Sequence, residues 1–312
     1  MFKIERYSQE KEREWNDFVS RSKNGTFLFN RKYMDYHSDR FEDFSLMIYR
    51  KDSLYTLLPA HVRENTIYSH QGLTFGGYIM SKNVSTIGMI ETVQFVNSYL
   101  KSAGINKIIY KSIPFIFHIV PAQEDLYAFF RCCHIKTIGC HIASIIFQRE
   151  KLKYDNSRKY GLHKALKLGL NVIESTDFSA FWEILQNNLH NKYNSQPVHT
   201  LEEMNLLWSR FPENIKLFLV QDKETYVGGA VIYLSKQVAH AQYCSASPEG
   251  KELGALDLLF DYLINKKYTD YPYFDFGHSN EQMGNILNEN LISQKEGFGG
   301  RGMVNEIYEI TL

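Results

Sequence analysis

The chain has only four cysteines in 312 residues, Cys132, Cys133, Cys140 and Cys244, and no CxxC pair among them. So few thiols at such spacing exclude a disulfide framework and are read as free. His134 and His141 sit beside three of them, and thiolate with imidazole is zinc's usual ligand set. Adjacent cysteines point in different directions, however, and residues 134 to 147 have the apolar, β-rich character of a strand in which Cys acts as a small hydrophobe. No metal site is expected. The chain also has no net charge, because 35 Lys and Arg offset 35 Asp and Glu. That balance excludes a global field for DNA or an anionic membrane and leaves only local basic patches for anionic partners. Long apolar runs are missing too. The stretch from Phe115 to Val120 falls far short of a membrane span, and the charged opening MFKIERYSQEKEREW has no apolar core of a signal peptide, so a cytoplasmic protein is expected.

What is present is a normal apolar content of 44%, enough to bury real cores, in a length that suits one large or two ordinary domains. A helix is predicted over residues 10 to 21, with Trp15, Phe18 and Val19 on one face. Strands follow at 44 to 49, 54 to 61 and 66 to 69, then a long helix striped by Met89, Val93, Val96 and Leu100 and closed by Gly104. A strand at 107 to 111, a helix at 123 to 131 and a strand at 135 to 147 complete the first half. The second half repeats that order, and repetition reveals architecture where residue identity has decayed. Phe178, Phe181, Trp182, Leu185 and Leu189 stripe one helix. Thr200 and Glu203 form a capping box before another. Strands at 215 to 221, 226 to 234 and 238 to 244 lead into a helix at 254 to 265. A strand at 271 to 277, a helix at 281 to 293 and a last strand at 303 to 310 end the series. The fold class is α/β, with domains at 1–150 and 151–312.

Two stretches carry chemistry. In YPYFDFGHSNEQ, an aromatic strand ends at Gly277 and is followed by His278, Ser279, Asn280 and Glu281, a polar rim at the carboxyl end of a strand, where open α/β sheets bind ligands. His278 or Glu281 is a candidate general base and Asp275 an orienting group; the plainer reading makes them caps of the next helix. In SASPEGKELGALDLLFDYL, Gly250 and Gly254 leave amides uncovered where a helix begins, with Lys251 beside them, so a pyrophosphate can be held there. A glycine-containing turn is the equal alternative. The basic run Arg158, Lys159, Lys164 and Lys167 faces either a phosphate or water.

The order strand, PEGKELGA, amphipathic helix, strand and KEGF resembles the GNAT acyltransferases, whose Gly-rich loop cradles the pyrophosphate of acyl-CoA. Pro248-Glu249 and Gly297-Phe298 are similar to flanking motifs of that family, although the Gly-Ala spacing is shortened. Across the chain, residues 15 to 27, RKYGLHKALKLG, FDFGHS and KEGFGG resemble the FemABX-like branch, two tandem GNAT-like domains, each a mixed central sheet flanked by helices. No coiled-coil insertion of the kind some members carry is visible. The resemblance implies transfer of an acyl group from acetyl-CoA or another acyl-CoA to an amine, such as an amino sugar of a surface polysaccharide or cell-wall precursor. The alternatives are an aminoacyl-tRNA donor, as in FemX-type members, and a degenerate tandem binding module. It assigns Ser245, Ala246, Ser247, Gly250, Lys251, Gly254, Ala255 and Asn285 to the donor, with backbone N–H groups near Ser245 to Ser247 polarising the acyl carbonyl. Apart from the resemblance, Tyr68, His70 and Gln71, beside Gly76 and Gly77, are candidates to line an acceptor cleft and equally read as turn residues, and Ser279 is a further acceptor candidate. The tyrosine that many members place before the Gly-Phe is Ser293 here, which leaves Tyr243 as the substitute acid.

Overall fold

The computed structural model describes residues 1–69 and 72–312, so His70 and Gln71, expected at the acceptor site, lie outside the described residues. The chain forms two compact units that are not its two contiguous halves. The first contains residues 1–141, 282–285 and 304–312, and the second contains 142–281 and 286–303.

In the first unit, the strands are β1 (Phe2–Arg6), β2 (Leu46–Arg50), β3 (Ser53–Leu58), β4 (His61–Arg63), β5 (Thr66–Tyr68), β6 (Ile79–Met80) and β7 (Lys107–Lys111). An antiparallel sheet runs β1-β2-β3-β6, so the strands expected between 44 and 69 do not stay in one sheet: β4 and β5 join β7 in a different one. The helices are α1 (Glu12–Arg21), α2 (Arg31–Met34), α3 (Thr86–Ser102) and α4 (Glu124–Cys132). The stripe read from α3 is its buried face: Met89, Val93, Val96 and Leu100 lie in one core with Leu46, Ile48, Ile108 and Phe129. Cys132 and Cys133 pack against that same core, as small hydrophobes do.

The second unit opens with the far end of β8 (His134–Phe147), then α5 (Asn156–Leu168), β9 (Asn171–Ser175), α6 (Phe178–Tyr193) and α7 (Leu201–Arg210). The predicted capping box on α7 forms, with Thr200 accepting from the Glu203 N–H and Glu203 accepting from the Thr200 N–H. The strands β10 (Ile215–Asp222), β11 (Thr225–Leu234) and β12 (Val238–Ala246) are antiparallel neighbours. Then come α8 (Pro248–Leu253), α9 (Ala255–Tyr262) and β13 (Tyr273–His278). The helix expected over 254 to 265 is α9 with the π turn Leu263–Lys267 that continues it, whereas α8 is an additional short helix before it, ended by Gly254 at φ +81° in a left-handed cap.

The helix expected at 281 to 293 also differs. Asn280–Glu281 is a short strand, β14, paired with β15 (Ile286–Leu287), and helix α10 begins only at Glu289 and runs to Gly297. Between the two short strands, Gln282, Met283 and Gly284 take successive positive φ values of 48°, 59° and 103°, a backbone path that no right-handed helix allows. The final strand, β16 (Arg301–Thr311), pairs antiparallel with β7 through Ile307 to Thr311 in the first unit. Conversely, residues 143 to 147 of β8 pair with β13 in the second. Each unit thus takes one strand from the other half of the sequence.

Candidate active site

Strands β12 and β13 run parallel and stay in register for only three pairs, Val238 with Tyr273, Ala239 with Phe274 and His240 with Asp275. Beyond His240 the two part. A register shift in the β11–β12 ladder leaves Gln242 as an extra residue, and a second irregularity follows Asp275 in β13. Such bulges bend a strand out of the common plane. The aromatic residues of β13 hold its own side of the opening, since Phe274 and Phe276 pack on Phe260, and Phe276 stacks on Phe298.

Polar groups gather where the strands part. Asp275 is buried, and its Oδ2 lies 2.8 Å from Nδ1 of His240 while Oδ1 accepts from the Gly277 N–H at 2.7 Å. Burial pushes the carboxyl pKa up, but His240 and the Gly277 amide outweigh it and hold Asp275 below the usual carboxylate range. Lys295, on α10, is buried as well. Its ammonium donates to the carbonyl oxygens of Gly277 at 2.9 Å and His278 at 2.6 Å, which leaves one of its three donors unspent. Burial lowers its pKa to about 8, against the opposing charges of Cys244 and Asp275.

Backbone amides complete the arrangement. Ser247 N–H donates to the Val227 carbonyl, and alternate residues of an antiparallel strand direct their N–H groups to the same side. By that alternation Ser245 faces β11, while the amides of Cys244 and Ala246 face the side from which β13 has departed. Ser245 is buried with an unpaired Oγ, and Ala246 is fully buried.

The start of α8 is closed. Ser247 caps it by accepting from the Gly250 N–H at 3.0 Å, and the Lys251 N–H bonds the Ser247 carbonyl. The expected row of uncovered amides is thus already engaged at Gly250 and Lys251. The glycines sit in close packing: a Cβ on Gly250 would stand 1.9 Å from the Val227 carbonyl oxygen, and one on Gly254 would stand 2.4 Å from that of Gly161. Ala255 is buried in the core. Beside this turn lies a cleft of about 740 Å³, between α6, the β10–β11 turn and the start of α8. Among the described residues, Glu183, Glu224 and Glu249 line it together with the cation Lys251, which donates to Asn188 Oδ1.

The remaining predicted residues are dispersed. Tyr243 bonds His199 Nδ1 through its hydroxyl at 2.6 Å, and burial pushes its phenol up to about 12. His278 is half-buried and closes the β8–β13 pairing opposite Ala143, while Glu281 is exposed on β14. Ser279 is buried with an unpaired Oγ, and its N–H bonds the Ile142 carbonyl. Asn285 folds onto its own turn by donating to the Gln282 carbonyl. Tyr68 stacks on His61 in the first unit. Of the basic run, Arg158 is bound to Asp257 at 2.8 Å, whereas Lys159, Lys164 and Lys167 are exposed. His240 and Lys295 were missed by sequence reading, although Lys295 opens the quoted KEGF.

Among the described residues no helix is long and apolar enough to cross a membrane, and no group of three or more His, Cys, Asp or Glu side chains is placed to hold a metal. Residues 152–283 match the family model described as an acetyltransferase (GNAT) domain. No curated protein matches the sequence. Among solved structures, the chain is similar to FemX, with TM-score 0.69 at 11% identity over 99% of this chain and 97% of that one. It is also similar to L-PGS from Bacillus licheniformis, with TM-score 0.61 at 12% identity over 98% and 92% of the two chains. A conserved protein of unknown function from Bacteroides thetaiotaomicron gives TM-score 0.62 at 9% identity over the full length of both. The fold is accordingly a mixed α/β one shared with these structures, and it is residues 152–283 that match the acetyltransferase (GNAT) domain model.

Proposed function

We propose that the second unit transfers an acyl group from an activated ester or thioester to an amine, at the point where β12 and β13 part. The single observation that carries this reading is the buried Lys295 ammonium, fixed by two carbonyls with one donor left over. A preorganised cation in a dry site stabilises the oxyanion that forms when an amine adds to an acyl carbonyl. The amides of Cys244 and Ala246 supply further donors from the opposite strand. The amine nitrogen forms the new C–N bond and loses a proton, which Nε2 of His240 accepts while Asp275 holds Nδ1–H. Collapse of the adduct breaks the bond to the leaving group, which departs with a proton. His278 and Glu281 are the other candidates for the base.

For the donor, the geometry favours an aminoacyl ester of tRNA over acyl-CoA. The Gly250 amide that would help cradle a pyrophosphate is engaged by Ser247, and among the described residues the adjoining cleft carries three carboxylates, Glu183, Glu224 and Glu249, beside the Lys251 ammonium. The exposed Lys159, Lys164 and Lys167 on α5 give an RNA backbone a local basic face despite zero net charge. The acceptor is the amine of a small molecule or glycan precursor. The test offers the protein aminoacyl-tRNA or acetyl-CoA together with amino-sugar acceptors and follows amide formation. Product from either donor that is lost in Lys295→Met supports the reading, and equal turnover by that variant rejects it.

A further inference from the structure

The first unit has its own parallel pair. Strands β5 and β7 stay in register for three residues, Thr66 with Lys107, Ile67 with Ile108 and Tyr68 with Ile109, and then the chain leaves β5 through Ser69. Ser69 holds the exit: its N–H bonds the Ile109 carbonyl, and its Oγ accepts from the Lys111 N–H at 2.8 Å. At this end of the pair lies a cavity of about 390 Å³, lined by Tyr68, Lys111, Ile138, His141, Met283 and Ile307 among others. All of these residues belong to the first unit.

The charge in the cavity is unbalanced. The half-buried Lys111 ammonium donates to the Leu73 carbonyl at 3.1 Å, and its other two donors are unspent. Burial lowers its pKa, and no carboxylate among the described residues acts against that effect. His141 is affected in the same direction, by burial first and then by the Lys111 charge. Two basic groups therefore share a cavity whose lining includes no acid. A desolvated ammonium is costly without a counter-charge, and an incoming anion supplies one.

One wall is held under strain. Met283 sits in the middle of the left-handed run 282 to 284, which presses on β8 so closely that a Cβ on Gly284 would stand 1.9 Å from the Cys140 carbonyl oxygen. Gly139 gives the same turn room, since its Cβ would lie 3.1 Å from the Met283 methyl. Two consecutive non-glycine residues in that conformation persist only when their surroundings over-determine them, which is typical of binding elements. The other walls, Ile138, Ile307 and the Tyr68 ring, are apolar, as ligand pockets of this size usually are around a few placed polar groups.

We infer that this cavity binds an oxyanion, a phosphate or a carboxylate, borne on a small molecule with an apolar or planar body, with Lys111 as the fixed cation and Met283 as the wall. The assignment stands apart from the acyl-transfer reading, because it concerns equilibrium binding alone. The probes are phenyl phosphate and benzoate, which share a ring and differ in the anion, with benzyl alcohol as the uncharged control. Calorimetry at constant ionic strength is expected to show saturable binding of at least one anion, and the tighter of the two identifies the anion class. Benzyl alcohol should bind at least tenfold more weakly. Lys111→Met should lose about tenfold or more in affinity, the scale of one charge-assisted hydrogen bond, and Lys111→Arg should recover part of it. Lys295→Met should bind the probe as the parent does, so loss of acyl transfer there leaves this result untouched. If Lys111→Met fails to fold, the methyl resonance of Met283 in the unaltered chain provides the answer: it should shift on titration with the anions and stay still with benzyl alcohol. Equal affinity in the Met variant, binding of none of the three probes, or an unmoved Met283 methyl overturns the assignment.

Discussion

His240 and Asp275 form the last register pair of the only three that join β12 to β13, and their side chains are bound at 2.8 Å where the strands separate. The pair therefore locks the vertex of the opening and at the same time fixes an imidazole at its mouth. Because Asp275 is held below the usual carboxylate range, the sign of its effect on stability is set. Its contribution is complete above the unfolded carboxyl value of about 4 and is lost as pH falls through the lower folded value. Asp275→Asn should flatten the acid limb of the stability curve below about pH 4 and cost about 3–5 kcal/mol at neutral pH, as expected when one partner of a buried pair is removed. Urea unfolding at several pH values measures both. An unchanged acid limb would mean that the pair carries no linked proton.

Lys295 gives the same sign of slope in an alkaline window, because its folded pKa is also below the unfolded one. Its pKa is lowered to about 8, so between that value and about 10.4 the unfolded chain holds more protons than the folded one. Stability should rise with pH across this window, and Lys295→Met should abolish the rise. Turnover depends on the ammonium and should fall as pH passes about 8. In Lys295→Met it should drop by about a hundredfold to a thousandfold at neutral pH, the usual cost of removing one oxyanion donor. A pH–rate profile that is the same in variant and parent would exclude the lysine from the chemistry.

Gly254 tests whether the α8 corner binds phosphate or packs. It stands at φ +81°, against the Gly161 carbonyl of α5, and the Arg158–Asp257 pair ties the same two helices together. Gly254→Ala should therefore destabilise the protein in a thermal melt, by about 2–4 °C for each kcal/mol lost in a protein of this size. Where the variant is still folded, donor affinity should stay at the parent value. Loss of donor binding with an unchanged melt would restore the pyrophosphate loop.

These corrections show which features a sequence carries. The α3 stripe and the Thr200–Glu203 box were legible because helical periodicity and capping are local, written within a few residues. Strand β7 was legible at its full length for the same reason. The exchange of β8 and β16 was not, because an alternating strand pattern states that a strand exists and not which strand it pairs with. The polar stretch after Gly277 looked like a helix start, but three successive left-handed residues at 282 to 284 override that propensity, and only Gly284 gave a local sign of them. His240 is one polar residue in the strand VAHAQY, and its meaning depends on a parallel register with Asp275, 35 residues away. Lys295 shows no local sign of a role within KEGF, because burial of a lysine at the end of a short helix is a property of the tertiary fold.

The donor remains the sharpest test of the second unit. If the acyl group arrives on tRNA, affinity must fall steeply with salt, because each phosphate that meets a lysine releases condensed counterions. Replacing Lys159, Lys164 and Lys167 by Glu should then weaken tRNA binding and flatten its salt slope, while leaving the fold intact, since all three are exposed. Acetyl-CoA should give no saturable heat, because the amide cradle is taken by Ser247 and the cleft beside it repels phosphate through Glu183, Glu224 and Glu249. Ser247→Ala frees the Gly250 N–H without adding bulk. If the engaged amide is what excludes the pyrophosphate, this variant should gain measurable CoA affinity while losing about 1 kcal/mol of stability with its cap. Salt-insensitive binding of acetyl-CoA to the parent, with acetyl transfer that Lys295→Met abolishes, would keep the acyl-transfer site and reverse the choice of donor.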